Sequence, residues 1–206
     1  MKIGIICGSH REPSESGKVA RCIEKALLQQ GHCDETWLYD LGGNPLPLWD
    51  EGVWDSNDTR WQEILRPLSE ELLACDGFVV VSPEWHGMAP AGLKNFFLMW
   101  TAGGELAHKP ALIVTVSTAD GGSFPVAELR MSSYKNSRIC YLPEHLIIRY
   151  VDTLFNDDPT KNKASAQTYF EDRLTYCLAM LKEYAMAFRQ IRASGKTSLE
   201  TYTSGM

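Results

Sequence analysis

Short apolar runs alternate with helical patterns along most of the chain, and this alternation constrains the fold more than any other feature. Runs such as GFVVVS and ALIVTVS are apolar on both faces, which is typical of central strands in a parallel sheet. Strands that alternate with helices indicate successive βαβ units. The sequence therefore predicts an α/β protein with a doubly wound, five-stranded parallel sheet and helices on both faces.

The same patterns predict where each element begins and ends. Strands are predicted at 2–7, 35–41, 77–82, 111–117 and 145–151, and helices at 17–30, 60–74, 90–102, 124–141 and 164–192. A chain of 206 residues suits one domain, at 1–192, and a polar tail, at 193–206, that we expect to fray. A long connection at 42–59 is rich in Pro, Gly, Asp and Trp.

Charge and cysteine spacing argue against several classes of function. The net charge of −6 disfavours a nucleic-acid partner, because binding to phosphates requires a basic patch. No apolar run approaches the ~20 residues of a membrane helix, and the N-terminal run stops after Cys7, so we expect a cytoplasmic protein. The six cysteines form no Cys-x-x-Cys pair and no His-Glu-x-x-His motif occurs, so no metal site is predicted.

Ligands of doubly wound sheets bind beyond the carboxyl ends of the strands, which directs attention to three loops. The first, GSHREPSESGK at 8–18, combines an arginine with three serines before a helix. These groups, with the amides and positive dipole end of the helix, suit a phosphate. The loop predicts a phosphate cradle formed by Ser9, Arg11, Ser14 and Ser16, and the plainer alternative is a serine-rich helix cap with a solvated arginine.

Other phosphate-binding motifs do not match this loop. The chain contains neither a Walker loop, G-x-x-x-x-G-K-[ST], nor a dinucleotide-binding G-x-G-x-x-G. Only three residues separate Cys7 from Arg11, which is too few for the loop of a cysteine-based phosphatase.

The second loop, SPEWHGMAPAGLKN at 82–95, places Trp85 and His86 at the carboxyl end of the third strand. An aromatic ring beside free backbone amides suits a flat heterocycle. The alternative is that Trp85 packs on the core and that His86 is a solvated loop residue.

The third loop, STADGGSF at 117–124, follows the fourth strand. Its Gly121 and Gly122 would let the backbone come close to a ligand, and the alternative is a plain turn capped by Ser123. None of the three loops carries a nucleophile elbow or a pair of catalytic acids and bases. A phosphate cradle beside a planar slot predicts a cofactor that brings its own reactivity, such as FMN.

Two of these loops resemble the motifs of a known family. Gly8-Ser9-His10-Arg11 with Ser14 and Ser16 resembles the G-S-x-R-x-x-S-x-N loop of the NADPH-dependent FMN reductase family. Pro83-Glu84-Trp85-His86, followed by Gly92-Leu93-Lys94-Asn95, resembles the P-E-Y-N…G-x-L-K-N segment of that family. The resemblance runs from residue 2 to about residue 151, and it implies a flavodoxin-like fold with strand order 2-1-3-4-5.

The resemblance also implies roles for individual residues. The FMN phosphate would be held by Ser9, Arg11, Ser14 and Ser16. The ribityl chain and the ring would be lined by Pro83, Glu84, Trp85, His86 and Gly87, and the ring bordered by Ser117, Gly121 and Gly122. The chain departs from the family pattern at Ser16 and His86, which replace Asn, and at Trp85, which replaces Tyr. No side chain is an obligate catalyst, although His86 could donate a proton near the ring.

A member of this family is expected to work by a ping-pong reaction. NAD(P)H reduces the flavin, and a small planar acceptor such as a quinone, a free flavin or an azo dye then reoxidises it. The resemblance implies a homodimer or homotetramer, and the connection at 42–59 is hypothesised to be a lid or an interface. Two alternatives stay open: a flavodoxin-type FMN electron carrier without NAD(P)H oxidation, and a flavin-free regulatory or scaffold protein.

Overall fold

A computed structural model, which describes residues 1–101 and 103–205, contains a five-stranded parallel sheet. In chain order the strands are β1 (Lys2–Cys7), β2 (Glu35–Asp40), β3 (Gly77–Pro83), β4 (Pro110–Val116) and β5 (Cys140–Ile148). They pair in the order β2-β1-β3-β4-β5, and every pairing is parallel. The predicted fold class and strand order are thereby confirmed.

Helices cover both faces of this sheet. The helices of the described residues are α1 (Glu15–Gln29), α2 (Thr59–Ala74), α3 (Ala91–Met99), α4 (Ser123–Ser132) and α5 (Ala164–Ala193). Because successive strand residues point to opposite faces, Ile5 packs with α1 and α5, whereas Ile6 packs with α2, α3 and α4. No helix within the described ranges is long and apolar enough to cross a membrane.

The boundary between α4 and β5 differs from the prediction. The helix predicted at 124–141 stops at Ser132, and β5 begins at Cys140 instead of residue 145. Pro143 explains the difference, because a proline inside an apolar run argues against a strand. Here it lies on an edge strand, where the register shifts between the pairs Ala111–Tyr141 and Ile113–His145. The irregularity accommodates a residue that has no N–H to donate.

The C-terminal tail is also more ordered than its composition predicts. The guanidinium of Arg138 donates hydrogen bonds to the carbonyls of Tyr202 at 2.5 Å and Thr203 at 3.1 Å. The amide of Gly205 donates to Asn136 Oδ1 at 3.1 Å. The tail therefore contacts the connection before β5. The helix predicted at 90–102 is α3, which ends at Met99 and is therefore shorter than predicted; residue 102 lies outside the described residues.

Candidate cofactor-binding site

A cleft of about 460 Å³ lies beyond the carboxyl ends of β1, β3 and β4. This is the edge of the sheet where the three loops meet, next to the point where the strand order reverses between β1 and β3. The cleft is lined by Ser9, Arg11, Pro13, Ser14, Glu15, Ser16, Lys18, Arg21, Pro83, Glu84, Trp85, Val116, Ser117, Thr118, Val151 and Asp157.

The first loop is organised by two of its own serines. Ser14 is the N-cap of α1, and its hydroxyl accepts a hydrogen bond of 3.0 Å from the amide of Gly17. The buried hydroxyl of Ser9 accepts from the amide of Arg11 at 3.3 Å. The cap that the sequence offers as an alternative is therefore present, and it coexists with a position on the wall of the cleft. The first turn of α1 still leaves backbone N–H groups without intrahelical acceptors, which suits an anion.

Lys18 ties this loop to the far side of the cleft. Its ammonium group pairs with the carboxylate of Glu15 in the first turn of α1. It also donates to the carbonyl of Val151 at 2.9 Å and to Asn156 Oδ1 at 3.0 Å, in the connection between β5 and α5. The ammonium group thus joins two walls of the cleft.

The second loop contains a tight two-residue turn. The amide of Trp85 donates to the carbonyl of Met88 at 3.1 Å, and the amide of Met88 donates back at 3.0 Å. His86 and Gly87 occupy the turn with φ values of 52° and 74°. Two successive positive φ values make a type I′ turn, in which Gly is favoured and His is tolerated better than most residues.

The indole of Trp85 faces the cleft and belongs to neither of the two core clusters. The imidazole of His10, from the first loop, contacts it edge to face, with ring centroids 4.6 Å apart and an interplanar angle of 81°. The alternative that Trp85 packs on the core is therefore wrong. The first and second loops are joined by this aromatic pair.

The second and third loops are joined by the side chain of Glu84. Its Oε2 atom accepts hydrogen bonds from the amides of Gly122 at 2.6 Å and Phe124 at 3.3 Å. The N-cap of α4 is Gly122, in a left-handed conformation, and it has no side chain to bond the first turn. Glu84 supplies that cap from another loop, so the local alternative of a cap by Ser123 does not describe this turn.

The structure places the predicted site residues in three groups. Those on the wall of the cleft are Ser9, Arg11, Ser14, Ser16, Pro83, Glu84, Trp85 and Ser117. His86 lines an adjoining hollow of about 450 Å³ with His10, Arg11, Glu84 and Trp85. Gly87, Gly121 and Gly122 do not line the cleft, and a Cβ on Gly121 would lie 2.7 Å from Glu84 Oε1. That glycine allows close approach of Glu84, which is a neighbouring side chain and not a ligand.

Some residues that line the cleft were not among the predicted site residues, although the sequence contained a signal for them. Ser14, Lys18 and Arg21 follow the i, i+4, i+7 spacing of one helix face, so a face of α1 pointing into the cleft was readable from the sequence. Thr118 directly follows the predicted Ser117. Asp157 carried no such signal, because only the path of the connection after β5 brings it to the cleft.

The connection at 42–59 does not cover this cleft. Trp49 and Val53 pack against the core cluster on the side of α2 and α3, and no residue of the connection lines the cleft. Asn95 of α3 holds the segment, because its Oδ1 accepts from the amide of Trp49 at 2.8 Å and its Nδ2 donates to the carbonyl of Pro47 at 2.8 Å. A lid over this chain's own cleft is thus not formed, and an interface remains a prediction.

The donor set fits FMN and does not fit nucleophilic catalysis. The wall formed by the first loop carries Arg11, serine hydroxyls and helix amides, which suit one phosphate, and the second loop adds a planar aromatic side chain. Burial and the nearby carboxylate of Asp40 raise the pKa of the Cys7 thiol to about 12. The thiol is therefore protonated at neutral pH and is not the nucleophile of a phosphatase.

Known proteins of similar sequence and fold indicate the family of this chain. The model of the NADPH-dependent FMN reductase family matches residues 1–152. A 2-hydroxy-1,4-benzoquinone reductase from a Burkholderia species is 24% identical over 197 residues, covering 93% of this chain and 98% of the relative. An NADPH azoreductase from Bacillus sp. (strain OY1-2) is 26% identical over 148 residues, covering 72% of this chain and 76% of the relative.

Solved structures support the fold independently. The flavoenzyme NAD(P)H:(acceptor) oxidoreductase FerB from Paracoccus denitrificans superposes with a TM-score of 0.69 at 16% identity, covering 91% of this chain and 98% of that chain. The family match spans most of the chain and includes the three loops that wall the cleft. The chain therefore belongs to the NADPH-dependent FMN reductase family and is an FMN-dependent NAD(P)H oxidoreductase with a flavodoxin-like fold.

Proposed function

We propose that the cleft binds FMN with its phosphate at the first loop and its ring beside Trp85, and that the enzyme reduces a quinone or an azo compound. The observation that carries this proposal is the arrangement of the cleft walls. Arg11, Ser16 and the start of α1 form one wall, and the indole of Trp85 belongs to another. A phosphate and a flat ring joined by a short chain would satisfy both walls at once.

The residues of this chain bind and orient the cofactor. Arg11 and the helix amides neutralise the phosphate, while the hydroxyl of Ser9 holds the backbone of Arg11. Glu84 keeps the second loop against the third, so that the walls on either side of the ring stay in place. When bound, FMN would supply the redox chemistry of a ping-pong cycle between NAD(P)H and an acceptor.

The acceptor class is inferred from the relatives and from the space beside Trp85. The relatives described above act on a benzoquinone and, by name, on azo compounds. The hollow next to the cleft, bordered by His10, Trp85 and His86, offers room for a second planar molecule to alternate with NAD(P)H. A flavodoxin-type carrier would not need such a site, and this distinguishes the two functions.

The proposed activity is tested with the purified protein. We expect a visible flavin spectrum, one FMN per chain, and oxidation of NADH or NADPH that accelerates when 1,4-benzoquinone is added. A protein that binds FMN but leaves NAD(P)H intact would be an electron carrier instead. A colourless protein that ignores added FMN would contradict both flavin-based functions.

We also propose that the enzyme forms a homodimer or a homotetramer. Met88, Leu98 and Met131 are 51%, 50% and 76% exposed, and they lie on or beside α3 and α4. Between these helices is an apolar groove of about 320 Å³ that includes Phe97 and Leu129. A second copy would remove this surface from water. Light scattering should give a multiple of the chain mass, and Leu98→Lys should reduce it; an unchanged mass would contradict this interface.

A cytoplasmic location is part of the same proposal. The six cysteines are free thiols, and reduced cysteines together with a need for NAD(P)H suit the cytoplasm. Fractionation of cells should recover the protein with cytoplasmic enzymes, and recovery from an oxidising compartment would contradict the proposal.

A further inference from the structure

Arg21 is an arginine on the wall of the cleft that has no protein partner. It lies on α1, one face of which also presents Ser14 and Lys18 to the same cleft. Within the described ranges, no carboxylate forms an ion pair with Arg21, and no acceptor is hydrogen-bonded by its side chain. Lys18 differs, because its ammonium group is already bonded to Glu15 and to the connection after β5.

The guanidinium of Arg21 reaches back towards the start of α1. Helical side chains lean towards the N-terminus, and Gly17, one turn earlier, leaves room for this one. A Cβ built on Gly17 would lie 3.3 Å from Arg21 Nη1 and 3.2 Å from the capping hydroxyl of Ser14. Asp40 Oδ2 lies 3.1 Å from the same point, although Asp40 forms no ion pair with Arg21. The cation is therefore next to the helix cap, beside the proposed phosphate position.

The thiol of Cys7 provides a second indication of this orientation. Burial is the main cause of the raised pKa of this thiol, and the positive charge of Arg21 lowers that pKa. Cys7 is the last residue of β1, so the charge of Arg21 acts at the carboxyl end of the sheet, where the cleft lies.

The first loop leaves part of the phosphate charge uncompensated. A phosphate monoester carries about −1.5 to −2 charges at pH 7, and Arg11 supplies one positive charge. Glu15 adds a carboxylate in the first turn of α1, where an anion would otherwise be favoured. The ion pair with Lys18 offsets the negative charge of Glu15, but the ammonium group of Lys18 is then no longer available to the phosphate. Arg21 has the carboxylate of Asp40 nearby but forms no ion pair with it, so its guanidinium remains available to the phosphate.

We propose that Arg21 is a second cationic ligand of the FMN phosphate, acting together with Arg11. This inference rests on the proposed placement of the phosphate at the first loop. The contact with Arg21 would also make the cleft selective for phosphorylated flavin, because riboflavin has the same ring and lacks the phosphate that Arg21 would contact.

The test compares FMN with riboflavin as ligands of the apoprotein, with flavin fluorescence as the readout. Arg21→Gln should raise the Kd of FMN about tenfold, the scale of one charge-assisted hydrogen bond, and leave the Kd of riboflavin within about twofold. Lys25→Gln is the matched control, because it removes the same charge from an exposed position one turn further along α1. Arg21→Lys should recover part of the affinity for FMN.

Three outcomes would overturn the inference. If Arg21→Gln binds FMN as Lys25→Gln does, while Arg11→Ala is impaired, the phosphate is at this loop but Arg21 does not contact it. If Arg21→Gln weakens FMN and riboflavin equally, Arg21 supports the cleft and does not bind phosphate. If Arg11→Ala binds FMN normally as well, the proposed position of the phosphate itself is wrong. Thermal unfolding of each apoprotein shows whether the variant is folded.

Discussion

The carboxylate of Glu84, just beyond β3, accepts a hydrogen bond of 2.6 Å from the amide of Gly122 at the start of α4. These residues are on different loops, so the helix whose N-cap is a glycine receives its capping group from another loop. A carboxylate at a helix N-terminus is stabilised by the hydrogen bonds and by the dipole. One side chain thereby holds two of the three loops at this edge of the sheet in register.

Removing the charge of this cap should destabilise the protein. Glu84→Gln preserves the shape but weakens both hydrogen bonds, so we expect the free energy of unfolding to fall by about 1–2 kcal/mol. Urea unfolding of the apoprotein measures the change. Glu63→Gln, at an exposed position of α2, is the control, and equal stability of the two variants would show that the cap contributes nothing.

Loss of Arg11 should weaken FMN binding. Arg11→Ala removes a charged hydrogen-bond donor, for which about 1.5–3 kcal/mol is expected, or about a 10- to 150-fold increase in Kd. Fluorescence titration with FMN measures the effect, with Arg66→Ala on the exposed side of α2 as the control. Unchanged affinity in Arg11→Ala would be incompatible with a phosphate at the first loop.

The stability of the protein should depend on which residue occupies the turn position of His86. A left-handed conformation costs a typical residue about 1–2 kcal/mol, and Asn tolerates it better than a β-branched residue does. His86→Val should therefore unfold at lower urea concentration than the native protein, whereas His86→Asn should match or exceed it. If both variants unfold at the same concentration, the turn does not impose the left-handed conformation in solution.

Lys109 should make stability depend on pH above neutrality. Its buried ammonium group donates to the carbonyls of Leu72 at 2.7 Å and Leu73 at 3.0 Å, at the end of α2. Burial lowers the pKa of Lys109 from 10.5 to about 8. Between these values the unfolded chain binds more protons than the folded chain, so the contribution of Lys109 to stability rises with pH.

The measurement is the difference in unfolding free energy between the native protein and Lys109→Met. This difference should increase between pH 8 and pH 10.5, the window set by the two pKa values, and should be constant below pH 8. A flat difference across that window would show that Lys109 keeps its ordinary pKa in the folded protein.

Removal of the tail should affect stability and spare the cofactor. The tail contacts the connection before β5, at the amino ends of the strands, whereas the proposed flavin cleft is at the carboxyl ends. Deleting 194–206 should cost about 1 kcal/mol of stability, and Arg138→Ala should reproduce much of that loss in the full chain. The Kd of FMN should not change; a large increase would mean that the tail reaches the cleft.

The sequence by itself determined the four strands β1 to β4, the class of the fold and the places where the three loops would meet. Runs such as GFVVVS are buried on both faces, so their composition indicates a central strand whatever surrounds them. The carboxyl ends of parallel strands share one edge, and the positions of Arg11, Trp85 and Ser117 on the cleft follow from that rule.

Only the tertiary structure decided which side chains face the cleft and which hold its walls. Glu84 caps a helix that begins 39 residues later in the chain, and Gly121 accommodates Glu84, because packing brings distant segments together. The early start of β5 depends on the edge of the sheet, which tolerates Pro143. Strand and helix patterns are local properties of a chain, whereas caps, partners and free cations depend on contacts between residues far apart in sequence.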